Sequence, residues 1–335
     1  MPFLNFLSGG LLQARVQQAY ASRDTALLGR TKAENLGDAQ MPERDLYPAS
    51  FSTAPTCAAS GCTGGWLKNR KAKERPHFEG DWACSERCLQ LLVRAALRRE
   101  AGGALVDEAY PPHRHRVPLG LVLLAQGWIT HQQLQTALHA QRSSGRGRIG
   151  DWLIEGCGLS AERITRGVSL QWNCPVLTLE SFSPSAMALV MPPSLAHQVS
   201  LVPVRVAGRS VLYIAFRDGM NAAAALALEA MSGLRVECGL LTEKDAAAAS
   251  AAIQQADPVP CHSSVVPHLD ALTDTIAHTI ASRKPIASKL VRIQQTYWLR
   301  LWLESGARSG IGDLPAAPHE LEDHLYSIKL NVCAN

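Results

Sequence analysis

Pro118-Leu119-Gly120, Leu123, Gly127, Ile129, Leu134, Leu138 and Gln141 return thirty positions further on as Arg148-Ile149-Gly150, Leu153, Cys157, Leu159, Ile164, Val168 and Gln171. A 24-position pattern met twice, over 118 to 141 and 148 to 171, is an internal repeat. Its apolar members recur at helical spacing, so each copy predicts a helix-turn-helix unit, with Leu134, Leu138, Ile164 and Val168 as the core between them. On that reading alone the repeat is scaffold. The whole helical subdomain spans 113–174.

C-terminal to the repeat, beyond Pro175, the pattern changes. Leu201-Val202-Pro203-Val204-Arg205-Val206 and Ser210-Val211-Leu212-Tyr213-Ile214-Ala215-Phe216 flank Gly208-Arg209 and predict a hairpin. An Ala-rich helix from Asn221 to Met231, a strand from Leu234 to Leu240 and a helix from Thr242 to Ile253 complete a small α/β subdomain over 175–256. After the break at Pro258-Val259-Pro260 comes a helical segment over 265–305, made of helices from Leu269 to Ser282 and Ile286 to Glu304. The second is apolar over most of its surface, carries Tyr297, Trp298 and Trp302, and has to be covered by the rest of the chain or by a partner. The tail, 306–335, is rich in Gly, Pro and charge and is assigned no fold.

N-terminal to the repeat, residues 1–55 read as an amphipathic helix (Leu11, Leu12, Val16, Ala19) and a polar linker. Residues 56–103 carry the first chemical signal. Cys57 and Cys62 form one close pair, Cys84 and Cys88 another, and such spacing brings four thiolates around one tetrahedral ion, for which zinc is the expected cofactor. Four sulfurs close the coordination sphere, so a structural ion is expected rather than a catalytic one. Free buried cysteines, a redox pair, or His77 in place of one thiolate are the alternatives. Ser85 and Glu86 mark the start of a helix through Leu97, and Gly102-Gly103 is its expected end. Between the pairs lies the basic stretch Lys68 to Arg75, read as a solvated loop; a zinc-dependent DNA-binding or transcription-associated protein is the rival it motivates.

Composition sets the frame. The chain has 335 residues, 47% hydrophobic and only 6% aromatic, enough for several cores of small and branched aliphatic side chains, and an α+β class is expected. A net charge of +4 does not point to nucleic acid, yet Arg114 to Arg148 contains no Asp or Glu, and such a local excess attracts phosphate. His113 and His115 flank Arg114 in a loop. No apolar run reaches the ~20 residues of a membrane span, and the N-terminus lacks the pattern of a secretory signal. Nine cysteines, an odd number, suit a reducing, cytoplasmic setting. No Gly-x4-Gly-Lys-Ser/Thr phosphate loop, Gly-x-Ser-x-Gly elbow or His-Glu-x-x-His helix occurs, so an enzyme is not expected.

The doubled motif, over roughly Arg116 to Ile253 with the α/β unit included, resembles the N-terminal domain of type II secretion system protein E and the related type IV pilus ATPases, the MshEN family. The resemblance implies a regulatory or adaptor role, with cyclic di-GMP or a secretion or pilus protein as partner. In some members the two copies each take half of that nucleotide. Position by position, it implies contacts from Leu119, Gly120, Leu123 and Gln141 in the first copy, and from Arg148, Ile149, Gly150, Leu153 and Gln171 in the second. Two positions depart from the family: Pro118 stands where an Arg belongs, with Arg114 and Arg116 the nearest cations, and Cys157 stands where the second copy needs a Gly.

Overall fold

The computed structural model describes residues 57–62, 76–109, 116–208, 210–217, 219–304 and 314–329. The expected N-terminal helix and linker, the stretch Lys68 to Arg75, His113, Arg114, His115 and much of the tail lie outside them.

Between the cysteine pairs, β1 (His77–Phe78) and β2 (Asp81–Trp82) form an antiparallel hairpin. Its two turn residues have φ of 51° (Glu79) and 89° (Gly80), as a tight two-residue turn requires. Glu79 is held in this left-handed conformation by a bidentate ion pair, Arg99 Nη1 and Nη2 at 2.8 and 2.7 Å. Helix α1 (Glu86–Ala109) begins where expected: Ser85 Oγ accepts the Cys88 N–H at 3.3 Å. It does not end at Gly102-Gly103 but runs through both, because Gly102 makes no left-handed turn and glycine inside a helix costs only about 1 kcal/mol.

The repeat folds as four helices: α2 (Leu119–Ala125), α3 (His131–Ser144), α4 (Ile149–Cys157) and α5 (Ala161–Trp172). Thr130 and Ser160, thirty positions apart, cap the second helix of each copy. Leu123, Ile129, Leu134, Ala137, Leu153 and Leu159 form the core, with Leu138 and Ile164 packed against it. The left-handed turn residue is Gly127 (φ 68°) in the first copy and Gly158 (φ 67°) in the second, one position later in the register of the repeat. Helix α4 accordingly runs on past the point where α2 stops. Cys157 is its last helical residue, and the glycine that its position lacks is supplied next door.

Two short helices, α6 (Pro184–Ala188) and α7 (Pro193–Gln198), lead into the α/β subdomain. There β3 (Leu201–Ala207) and β4 (Val211–Phe216) form the expected hairpin. A crossover through α8 (Ala222–Ser232) places β5 (Arg235–Leu240) parallel to β4, and α9 (Glu243–Gln255) follows. Asn221 and Thr242 cap the two helices.

The C-terminal segment departs from the sequence reading. β6 (Cys261–Val266) precedes α10 (Leu269–Arg283), the expected first helix. The expected second helix, Ile286 to Glu304, is instead a hairpin of β7 (Ala287–Ile293) and β8 (Thr296–Trp302). In the tail lies β9 (Leu321–Ile328), and the sheet order is β6-β9-β8-β7. The reason is burial on both faces: every residue of β8 is buried, so the strand reads as an apolar run broken only by Thr296 and Arg300, which periodicity cannot separate from a buried helix.

Each face of this sheet has its own partner. Leu290, Tyr297, Leu299, Leu301 and Tyr326 share a core with Ala59, Phe78, Cys88 and Leu89 of the cysteine module and with Leu272, Ile276 and Ile280 of α10. Val291, Ile293, Trp298, Trp302, Leu321 and Leu325 face the other way, into the core of the α/β subdomain. The module and the sheet are one packing unit, and the repeat and the α/β subdomain are inserted between its two halves in sequence. On the second face Arg300 and Asp323, 3% and 0% exposed, form a bidentate pair at 2.8 and 2.7 Å.

Candidate functional site

The hairpin β1–β2 and the start of α1 bring Cys57, Cys62, Cys84 and Cys88 together, with all four Sγ atoms within 4.8 Å of one another. Cys62 and Cys84 Sγ lie 3.4 Å apart, Cys84 and Cys88 Sγ 3.5 Å. Ligands 2.3 Å from a tetrahedral ion stand about 3.8 Å apart, so the four sulfurs need only small adjustments to surround one. Backbone bonds hold the knuckles: Cys84 N–H donates to Cys57 Sγ at 3.3 Å, Cys62 N–H to the Ala59 carbonyl at 3.1 Å, and Ala58 N–H to the Trp82 carbonyl at 3.2 Å. Cys88 is buried and the other three are half-buried. Burial and the neighbouring thiols push the Cys84 thiol up to about 12, and burial raises Cys57 too, so a cation is needed to hold these groups as thiolates. The cluster could hold a metal ion.

The nine positions picked out in the repeat separate into distinct kinds. Gly120, Leu123, Gly150 and Leu153 are buried. A Cβ on Gly120 would lie 2.5 Å from Leu134 Cδ1, and one on Gly150 3.0 Å from Ile164 Cγ2, so these equivalent glycines let the two helices of each copy cross closely. Leu119 and Ile149 are half-buried and pack against the same core. Gln141 and Gln171 make a reciprocal pair of clamps that sequence reading did not find. Gln141 Nε2, in the first copy, donates to the Gly147 carbonyl just ahead of the second, at 2.9 Å. Gln171 Nε2, in the second copy, donates to the Val117 carbonyl just ahead of the first, at 2.7 Å. Each copy thereby fixes the backbone that leads into the motif of the other. Arg148, the remaining position, stands at one of these two lead-in segments.

The lead-in segments differ in chemistry. At the second, Arg148 is the exposed N-cap of α4, its N–H bonded to Asp151 Oδ2 at 3.1 Å, and Trp152 Nε1 donates to the Arg146 carbonyl at 3.2 Å. Arg142 and Arg146 are also exposed around this segment, while Arg163 and Arg166 are exposed on α5, with the Arg166 guanidinium 6.0 Å from the ring centre of Trp128 in the first copy. At the first stand Val117 (57% exposed), Pro118, Leu121 (49%) and, from α5, Leu170 (49%). Thirty positions from them, at the second, are Gly147, Arg148, Asp151 and Ala140. Arg116 is not a spare cation for the first: its guanidinium lies 3.1 Å from the ring centre of Trp172. The repeat thus offers anions one basic end, with an apolar surface at its counterpart.

No protein-family model and no curated protein matches this sequence. Among solved structures the chain is similar to MshE with cdg, at 28% identity and a TM-score of 0.34, over 41% of this chain and 98% of that one. It is also similar to the N-terminal domain of XpsE in two crystal forms, at 15% and 17% identity and TM-scores of 0.29 and 0.25, over 40% of this chain and 92% and 91% of those.

Proposed function

We propose that this protein is a non-enzymatic regulatory or adaptor protein of the cytoplasm, whose tandem repeat takes cyclic di-GMP at its basic end and whose cysteine cluster holds a structural zinc ion. The observation that carries the ligand reading is the start of the second copy. Exposed Arg146 and Arg148 sit there on a backbone fixed by Gln141, Trp152 and Asp151, so the cations are presented without ordering a loop on binding. Arg suits the ligand, since a guanidinium stacks on a base and pairs with phosphate. The doubled motif and its resemblance to the MshEN family support the choice of nucleotide. The apolar surface at the start of the first copy favours contact there with a protein of a secretion or pilus system. Four sulfur donors leave no open position on the ion, which supports a structural zinc.

Calorimetric titration of cyclic di-GMP into the zinc-replete protein, with Arg148→Ala in parallel, tests the reading. Saturable binding that the substitution weakens at least about tenfold, the loss of one charge-assisted contact, is the expected result. No heat from the wild type at high protein concentration would sink the nucleotide reading and leave the repeat as scaffold for a protein partner.

A further inference from the structure

We propose that metal binding at Cys57, Cys62, Cys84 and Cys88 closes the outer edge of the C-terminal sheet, so that the loading of a site made by residues 57–88 decides whether β7, some 200 residues away in sequence, presents a free strand edge. This rests on the reading of the cluster as a metal centre.

β7 pairs with β8 on one side and is the last strand of its sheet. Its other side carries backbone groups that an uncovered edge would leave open to a further strand. The hairpin and α1 occupy two of them, the Ser288 carbonyl and the Arg292 N–H. Glu79 N–H, in the turn between β1 and β2, donates to the Ser288 carbonyl at 3.0 Å. Ser288 Oγ donates to the His77 carbonyl at 2.9 Å. Further along, Arg292 N–H donates to Glu100 Oε2 on α1 at 3.1 Å. The two covering elements are locked to each other by Arg99, which pairs with Glu79 and with Glu100 at 3.0 Å.

The cluster is one support of this cover, beside the packing of α1 on α10 and the bonds from Gln90 to Asp274 and from Arg94 to Asp270. The hairpin leaves the Cys57–Cys62 knuckle through Ala58 N–H to Trp82 O and joins the second pair at Ala83 and Cys84. Helix α1 has Cys88 in its first turn. One ion bound by both cysteine pairs ties the knuckle to the start of α1, so coordination adds folding energy to residues 57–88 beside the core they share with the sheet. Cys88 and Phe78 also belong to the same core as Leu290 and Leu299 of the sheet, so loosening at the thiolates reaches β7 through packing as well as through the edge bonds.

The test is hydrogen exchange by mass spectrometry on the full chain under reducing conditions, loaded with one equivalent of Zn(II) and then stripped by a chelator. Stripping should quicken exchange about tenfold or more in peptides covering 77–82, 86–100 and 286–293, and leave 131–172 unchanged. Glu100→Ala, which touches the edge and not the cluster, should quicken 286–293 in the loaded protein. Failure to take up one equivalent of Zn(II) would overturn the metal centre and this proposal together. A stripped protein that loosens at 77–82 while 286–293 keeps its protection would overturn the proposal alone, as would a silent Glu100→Ala.

Discussion

Replacing Asp323 by Ala should be among the most damaging single changes available in the C-terminal sheet. The carboxylate is fully buried and accepts three hydrogen bonds: Arg300 Nε to Oδ1 at 2.8 Å, Arg300 Nη2 to Oδ2 at 2.7 Å and Trp298 Nε1 to Oδ1 at 2.8 Å. Arg300 Nη1 bonds elsewhere, to the carbonyls of Leu189 and Val190 at 3.0 and 3.1 Å, which ties β8 to the end of α6. Without the carboxylate the guanidinium, 3% exposed, is left charged with two neutral acceptors, and the indole N–H loses its partner. Breaking a buried pair in this way costs about 3–5 kcal/mol, whereas replacing both partners by apolar groups of similar volume is close to neutral. Denaturant unfolding followed by tryptophan fluorescence should show Asp323→Ala lowered by about that amount, with Arg300→Met combined with Asp323→Leu recovering at least about half of it. A loss under about 1 kcal/mol for Asp323→Ala would refute the reasoning, because it would mean that water or movement of Arg300 already solvates the charge.

Three further expectations concern other parts of the chain. Gly167→Ala puts a Cβ 2.5 Å from Cδ2 of the fully buried Leu123 and should destabilise by about 1–3 kcal/mol, while Gly156→Ala, with nothing within 4 Å, should stabilise by about 0.5–1 kcal/mol; paired denaturation curves with the same sign for both would contradict the packing argument. Burial pushes the thiol of Cys174 up to about 11 and that of Cys238 to about 12, so at pH 8 the thiolate available for alkylation should fall about a hundredfold at Cys174 and about a thousandfold at Cys238 relative to the protein in urea; rapid modification at either would show a more open site. Burial also holds His324 below its ordinary value, so the unfolded chain takes up the proton first: its contribution to stability is present above about pH 6.5 and falls as the pH drops below it. Thermal melts between pH 7.5 and 5 should show this slope flattened in His324→Gln, and an unchanged slope would assign the acid sensitivity elsewhere.

The repeat was legible because its signal is both periodic and doubled: Gly120 and Gly150, Leu123 and Leu153, and Gln141 and Gln171 recur thirty positions apart. The cysteine cluster was legible because close pairs are constrained by the ion they imply. The sheet at the C-terminus was not, since every residue of β8 is buried and that strand loses the alternation that marks one. Nor could sequence reveal that His77 and Ser288 meet across 211 positions. The glutamine clamps were visible as repeated residues at 141 and 171 but not as donors to backbone, because their acceptors, Gly147 and Val117, lie just ahead of the opposite copy and outside the repeated pattern. The turn glycine of the second copy was missed by one position, for a helix can lengthen when the following turn is shortened to match.

The insertion of some 150 residues between the two halves of one packing unit bears on how the protein is made. Synthesis runs from the cysteine module through the repeat and the α/β subdomain before the strands that cover the module appear. From Cys88 to the end of β9 at Ile328 is about 240 residues, which at about 5–20 residues per second leaves the four thiols waiting roughly 12 to 50 seconds on the ribosome without their sheet. The repeat, whose contacts are local, has time to fold in that interval, while the module does not acquire its core until the last strand emerges. A nascent chain released before Tyr326 would carry a finished repeat and an uncovered cysteine hairpin, the state in which quality control would meet it.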